Sequence, residues 1–160
     1  MGDLRIGLGV DAHALESGTA LVLGGVPIEH DRGLAGHSDG DVIAHALTDA
    51  VLGAAGLGDI GSLFPSDDDR YRGADSLDLL VEAYRQVREA GFELVNADCV
   101  LIGEEPRIAG RRAEMRERLA GALGVTADRV NVRATTTDRL GFTGRGEGLA
   151  AEAVALLRPS

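Results

Sequence analysis

Asp11-Ala12-His13 and His37-Ser38-Asp39-Gly40-Asp41-Val42-Ile43-Ala44-His45 hold three of the four histidines in this 160-residue chain. Leu4–Val10, just ahead of the first motif, reads as a strand. Alternate residues of a strand share a face, so Asp11 and His13 can reach one point from its end. From Asp41 onward the apolar residues Val42, Ile43, Ala46, Leu47, Ala50, Val51 and Ala54 recur with a helical period, which predicts a helix to about Ala55. Ser38 or Asp39 is its expected N-cap. Asp41, His45 and Asp49 then share one helix face.

Asp11, His13 and His45 read as three ligands of one metal ion. Two imidazoles and a carboxylate suit zinc, and three protein ligands leave a fourth position open, as catalytic sites do. Asp49, one turn from His45, is placed to hold its second ring N–H. The competing reading is ordinary surface or core histidines beside acids.

Around this stretch the composition is that of a folded domain. Hydrophobic residues make up 44%, while aromatics are 3% and Trp is absent, so Ala, Val, Leu and Ile must build the core. The net charge of -10 speaks against nucleic acid, since no basic field draws polyphosphate in. It leaves room for a small phosphate ligand held by local amides, arginines and metal ions. The lone cysteine, Cys99, excludes an internal disulfide, fits a cytoplasmic location and is expected to be buried. No apolar run approaches the ~20 residues of a membrane span, and no signal peptide is visible.

Along the chain, Ala20–Leu23 and Val26–Ile28 flank Gly24-Gly25 as short extended pieces, and 29–36 reads as loop. Gly56–Gly61 breaks the first helix, and Phe64–Asp69 is expected to be an exposed, mobile acidic loop. A second helix starts near Asp75 or Ser76, with Leu77, Leu80, Val81, Tyr84 and Val87 on its buried face, and ends at Gly91. Phe92–Ile102 is a strand, Gly103–Pro106 a turn, Arg111–Leu123 a third helix, and Val130–Ala134 a strand. A last, mostly apolar helix is expected over Leu149–Leu157. The result is one catalytic domain, 1–160, of α/β (α+β) class: a two-layer sandwich with a mixed sheet of about four main strands and helices on one face.

Three further constellations could carry chemistry. Thr135-Thr136-Thr137-Asp138 ends a strand with three hydroxyls and a carboxylate, either a phosphate and Mg²⁺ site or an ordinary strand end. Gly141–Gly148 is either a phosphate cradle or a tight backbone crossing, and it lacks the Walker lysine and the Rossmann spacing. Gly103-Glu104-Glu105-Pro106-Arg107 is either a base-reading turn or a plain one.

Together these pieces resemble one family, the 2-C-methyl-D-erythritol 2,4-cyclodiphosphate synthases of non-mevalonate isoprenoid synthesis. The resemblance rests on Gly9–His13, His37–Asp41, His45–Asp49, Gly58–Gly61, Leu63–Pro65, Gly73–Ser76, Ala134–Asp138 and Leu140–Gly148. It implies a homotrimer with active sites shared between neighbours. It implies zinc or another divalent metal at Asp11, His13 and His45. His37 and Ser38 would contact the substrate phosphates. Asp59, Ile60 and Gly61 would hold the methylerythritol part, beside the loop Phe64, Pro65, Ser66, Asp67 and Asp68. Gly103, Glu104, Glu105, Pro106, Arg107, Ile108 and Ala109 would form a cytidine pocket. Thr135, Thr136 and Thr137 would lie at the diphosphate, with Asp138 holding Mg²⁺ or Mn²⁺. Phe142 and Arg145 match positions with binding roles.

The chain departs from the family pattern in three places. Position 138 is Asp where Glu is frequent, Glu104-Glu105 stand where smaller or neutral residues are common, and Arg107 replaces a frequent Lys. The implied reaction cyclises 4-diphosphocytidyl-2-C-methyl-D-erythritol 2-phosphate and releases CMP, with His37 and Thr136 as donors. A metal-dependent phosphohydrolase and a non-catalytic binder of isoprenoid diphosphates are the rival classes.

Overall fold

The first strand, β1, runs through Arg5–Ser17, so Asp11 and His13 lie inside the strand and not past its end. The computed structural model describes residues 2–160. Gly7, Gly9, Asp11 and His13 face the helical layer, while Ile6, Leu8 and Val10 face outward. The short strands β2 (Leu21–Leu23) and β3 (Val26–Ile28) form a hairpin. Gly24 and Gly25 turn it with φ of 59° and 75°, the paired positive values a two-residue turn demands. Strand β4 (Arg32–Leu34), unexpected in a segment read as loop, pairs with the end of β1.

Helix α1 (Val42–Ala55) is capped by neither Ser38 nor Asp39 but by Asp41, whose side chain accepts from Ala44 N–H. The same buried carboxylate accepts the N–H groups of Gly24 and Gly25 at 2.9 and 2.7 Å, tying the hairpin to the start of α1. Burial raises the Asp41 pKa although those N–H groups pull the other way. Asp41 is thus a structural tie at the start of α1. A single turn, α2 (Ile60–Leu63), and a 3₁₀ turn at Asp69–Tyr71 interrupt the expected loop.

Helix α3 (Ser76–Glu89) is capped by Asp75. It buries Leu79, Leu80, Ala83, Tyr84 and Val87; Val81, expected inside, is 47% exposed because the contact stripe runs through Leu79 and Ala83. Strand β5 (Phe92–Ile102) shifts register at Val95, where the Leu94 N–H donates to Tyr84 Oη. Helix α4 (Arg112–Leu123) and strand β6 (Val130–Thr135) follow, then a one-turn helix, α5 (Gly141–Gly144).

The final element corrects the sequence reading. Gly148–Pro159 is not a helix but a strand, β7. It lies third in the five-stranded sheet β4-β1-β7-β5-β6, antiparallel to both β1 and β5; β5 and β6 are parallel. Its Ala-rich sequence has high helix propensity, but hydrogen bonding on both edges and burial of Leu149, Ala151, Ala153, Ala155 and Leu157 override it. Helices α1, α3 and α4 cover one face of the sheet. On the other face Ile6 is 73%, Leu8 64%, Val10 56% and Val154 40% exposed. Cys99 is buried in β5, and desolvation pushes its thiol up to about 12, which leaves it unreactive. Among the described residues, no helix is long and apolar enough to cross a membrane.

Candidate active site

The site begins where β1 meets α1. Alternation along β1 turns Asp11 and His13 toward α1, and α1 delivers His45 from its second turn. Asp11 Oδ2 lies 2.9 Å from His13 Nε2 and 3.1 Å from His45 Nδ1. One donor atom from each of the three residues falls within 4.8 Å of the others. The two imidazoles meet edge to face, 5.5 Å apart.

These residues fit a divalent ion. His13 Nε2 is buried and, though close to Asp11, makes no hydrogen bond. A buried nitrogen left without a hydrogen bond, beside a carboxylate oxygen and a second ring nitrogen, is a convergent N/O donor set of the zinc type. Asp11 carries the electrostatics. Burial would raise its pKa, but the His13 and His45 imidazoles beside it outweigh burial and lower it. The nearby Asp11 carboxylate in turn raises His13 against the opposing effect of burial.

The outer support of His45 differs from expectation. Asp49 does not hold its second nitrogen; the Asp49 carboxylate accepts the Ile60 N–H at 2.7 Å and so fixes the start of α2. His45 Nε2 instead lies 2.7 Å from Ser76 Oγ and 2.9 Å from Ser38 Oγ.

A cavity of about 590 Å³ opens over the cluster. Asp11, His13, His37, Ser38 and His45 line it together with Ile60, Gly61, Phe64, Pro65, Ser66, Asp67, Tyr71 and Leu79. His37 Nε2 donates to the Asp68 carbonyl at 2.9 Å, and the His37 carbonyl accepts the Gly73 N–H at 2.6 Å. The 64–73 loop is therefore pinned to the His37 segment. Phe64 and Tyr71 stack edge to face, 5.1 Å apart. Two expected site residues stand outside the lining: Asp59 caps α2 through Ser62, and Asp68 pairs its carboxylate with Arg70 at 2.6 Å.

A second cavity, about 410 Å³, is lined by Gly103, Glu104, Pro106, Arg107, Ile108, Ala109, Arg112, Ala134, Thr135 and Thr136. It shares no lining residue with the first. Glu104 is tied to the neighbouring loop, its carboxylate accepting the Arg139 N–H at 3.0 Å. Asp138 has a φ of 52°, and its Oδ1 accepts from Thr136 Oγ1 at 3.2 Å. Its exposed carboxylate is a suitable single protein ligand for a Mg²⁺-type ion that takes its other ligands from phosphate and water. Thr137 Oγ1 donates to the Leu140 carbonyl at 2.6 Å, which makes it a loop staple. Phe142 is 44% exposed on α5, and Arg145 forms a two-point pair with Glu147. Glu105 is absent from the lining.

Sequence reasoning missed Tyr71 and Leu79 in the first cavity, Arg112 and Ala134 in the second, and Ser76 behind His45. Only Ser76 carried a usable signal, as a hydroxyl in the Gly73-Ala74-Asp75-Ser76 motif.

The YgbB family model matches residues 4–158. A relative from Rubrobacter xylanophilus named 2-C-methyl-D-erythritol 2,4-cyclodiphosphate synthase is 62% identical over 98% of this chain and 96% of its own length. A solved structure of a 2C-methyl-D-erythritol-2,4-cyclodiphosphate synthase in a CDP-bound form is 41% identical, with a TM-score of 0.88 over 96% of this chain and 100% of the other. The bifunctional IspDF from Campylobacter jejuni is 45% identical, with a TM-score of 0.95 over 99% of this chain, which spans 43% of that protein. The chain belongs to the YgbB family, that of the 2-C-methyl-D-erythritol 2,4-cyclodiphosphate synthases.

Proposed function

We propose that this chain is a single catalytic domain that converts 4-diphosphocytidyl-2-C-methyl-D-erythritol 2-phosphate to 2-C-methyl-D-erythritol 2,4-cyclodiphosphate and CMP. An oxygen of the 2-phosphate attacks the β-phosphorus. The bond from the β-phosphorus to the bridging oxygen breaks, and CMP leaves with that oxygen. The nucleophile is already an anion, so no strong protein base is needed, and the enzyme acts as a metal-dependent phosphorus–oxygen lyase by positioning and charge neutralisation. The observation that carries this reading is the convergence of Asp11, His13 and His45 in a cavity also lined by His37 and Ser38, in a chain of this family.

Each group has a role within this reading. Asp11, His13 and His45 hold a divalent ion, zinc by donor type, which supplies positive charge beside the phosphates. His37 and Ser38 bind phosphate oxygens, and Ile60 and Gly61 border the methylerythritol part, with Asp59 fixing their turn. The loop 64–68 closes over it. The second cavity takes the cytidine; that a relative is solved in a CDP-bound form supports a cytidine nucleotide as ligand. Thr135 and Thr136 meet the diphosphate, and Asp138 holds Mg²⁺ or Mn²⁺. Phe142 and Arg145 contribute from the α5 segment.

A cytoplasmic homotrimer completes the proposal. The two cavities share no residue within one chain, so a neighbour would bring its second cavity to the first. The exposed Ile6, Leu8, Val10 and Val154 give the sheet an apolar outer face that a closed assembly would cover.

Phosphorus NMR of the purified protein with the substrate tests the reaction. Equal formation of cyclic diphosphate and CMP is expected. CMP with the open 2,4-bisphosphate, or inorganic phosphate, and no cyclic product would instead make it a phosphohydrolase.

A further inference from the structure

Behind His45 lies a chain of polar groups that the reaction as described does not use. Ser76, fully buried at the first turn of α3, sits with Oγ 2.7 Å from His45 Nε2. On its other side the same hydroxyl hydrogen-bonds Asp39 Oδ1. Asp39 is itself held in place: Oδ2 accepts the Ser76 N–H at 3.0 Å, and Oδ1 accepts the Asp41 N–H at 3.0 Å.

The direction of these bonds follows from valence. A carboxylate only accepts, so the single hydroxyl hydrogen of Ser76 points to Asp39. Ser76 Oγ is then left as an acceptor at 2.7 Å, the shorter of the two hydroxyl contacts to Nε2, so Nε2 carries the proton and Ser38 Oγ at 2.9 Å is a second acceptor for it. A neutral imidazole protonated on Nε2 presents a bare lone pair at Nδ1, the atom that lies 3.1 Å from Asp11 Oδ2. The opposite arrangement, with Nε2 accepting from Ser76, would leave two oxygen lone pairs facing each other at the Asp39–Ser76 contact.

We propose that Asp39 and Ser76 form a positioning relay that keeps His45 protonated at Nε2, so that Nδ1 is always available to the Asp11–His13 cluster. The inference rests on the metal site of the proposed function and adds two positioning residues, neither of which touches substrate. It joins the His37–Asp41 and Gly73–Ser76 motifs, from separate parts of the chain, in one purpose. Outer partners of this kind orient metal-bound histidines and raise their basicity.

The test uses Zn²⁺ itself and no substrate. Affinity is read by competition with a chromophoric chelator, for the wild type, Ser76→Ala, Ser76→Thr and Asp39→Asn. Ser76→Ala is expected to bind zinc roughly 10- to 100-fold more weakly, and Asp39→Asn to weaken it in the same direction. Ser76→Thr keeps the hydroxyl and should recover most of the affinity. In the zinc-loaded wild type, the His45 Nε2–H should give an exchange-protected NMR signal that Ser76→Ala loses, a change that loose packing alone would not produce in an otherwise native spectrum. Ser76→Ala affinity within twofold of wild type, or an unchanged Nε2–H signal, overturns the relay and leaves the metal site standing. A wild type that binds no zinc overturns both.

Discussion

Gly9 of β1 lies against Ala46 of α1 so closely that a Cβ on Gly9 would overlap the Ala46 carbonyl; Gly7 meets Ala50 and Ala54 in the same way. Two strand residues span about 6.6 Å and four helix residues about 6 Å, so the two glycines and the alanine positions keep step. The backbones thus touch without side chains between them, and His45, next to Ala46, comes down beside Asp11. Gly9→Ala should cost at least the ~1–3 kcal/mol typical of overpacking, since backbone and not a flexible side chain must yield. It should also weaken metal retention by lifting α1. Gly53→Ala is the counterpart: it is exposed within α1, with nothing within 4 Å of an added Cβ. It should stabilise the protein by about 0.5–1 kcal/mol. Urea midpoints of the two variants moving in the same direction would refute this account of the interface.

The same interface explains what could be read from sequence. Helices α1 and α3 showed themselves through clear apolar periods and β6 through its alternation, and the Asp-x-His spacing already put two donors on one strand face. Strand β7 did not. Facing α1 closely, it needs small residues such as Ala151, Ala153 and Ala155, and its outer face carries Val154 and Leu156, so apolar-polar alternation is erased. What remained was an Ala- and Leu-rich run that resembles a helix until both neighbouring strands are known. Strand β4 and the Ser76 contact to His45 depend on pairings across 17 and 31 residues, which local patterns do not carry.

Removing a metal ligand separates the centre from the fold. His45→Ala deletes one donor of three and leaves the core of α1 intact, since His45 is only one of its buried residues. Metal analysis should find one tightly held divalent ion per wild-type chain and none retained by the variant after dialysis against chelator. Far-ultraviolet circular dichroism should remain native. Full stoichiometry in the variant would remove His45 from the ligand set.

The pH response of the metal-free protein has a defined sign. Asp11 is lowered below its ordinary 3.8, so its contribution to stability is present above that value and is lost as pH falls through the lowered pKa. His13 is raised above 6.5, so its contribution is present below 6.5 and is lost as pH rises through the raised pKa. Both contributions are complete only between 3.8 and 6.5. Metal binding requires His13 without its proton, so metal stabilisation should instead grow as pH rises through that same range. Urea unfolding near pH 5 and pH 8, with chelator and with zinc, reads the difference. Expected is a metal increment that is larger at the higher pH; an equal increment at both would show that His13 gives up no proton to the ion.

The division of the two cavities yields the sharpest test of assembly. Asp11, His13, His37 and His45 line one, and the Gly103 turn, Thr135 and Thr136, next to Asp138, line the other. If a working site takes its metal cluster from one chain and Asp138 from the next, single-site variants should complement each other. His45→Ala and Asp138→Ala should each be nearly inactive alone, since one loses the cluster ligand and the other the carboxylate for the second ion. Co-expressed with different tags and purified as mixed trimers, some sites combine a chain with His45 intact and a neighbour with Asp138 intact. Those sites are wild type in every group the reaction uses, and a substantial fraction of the activity should return. Mixing purified homotrimers without subunit exchange should restore nothing, which controls for contamination. Mixed trimers that form and stay inactive would mean that each chain completes its own site, and the apolar outer face of the sheet would then serve assembly without serving catalysis.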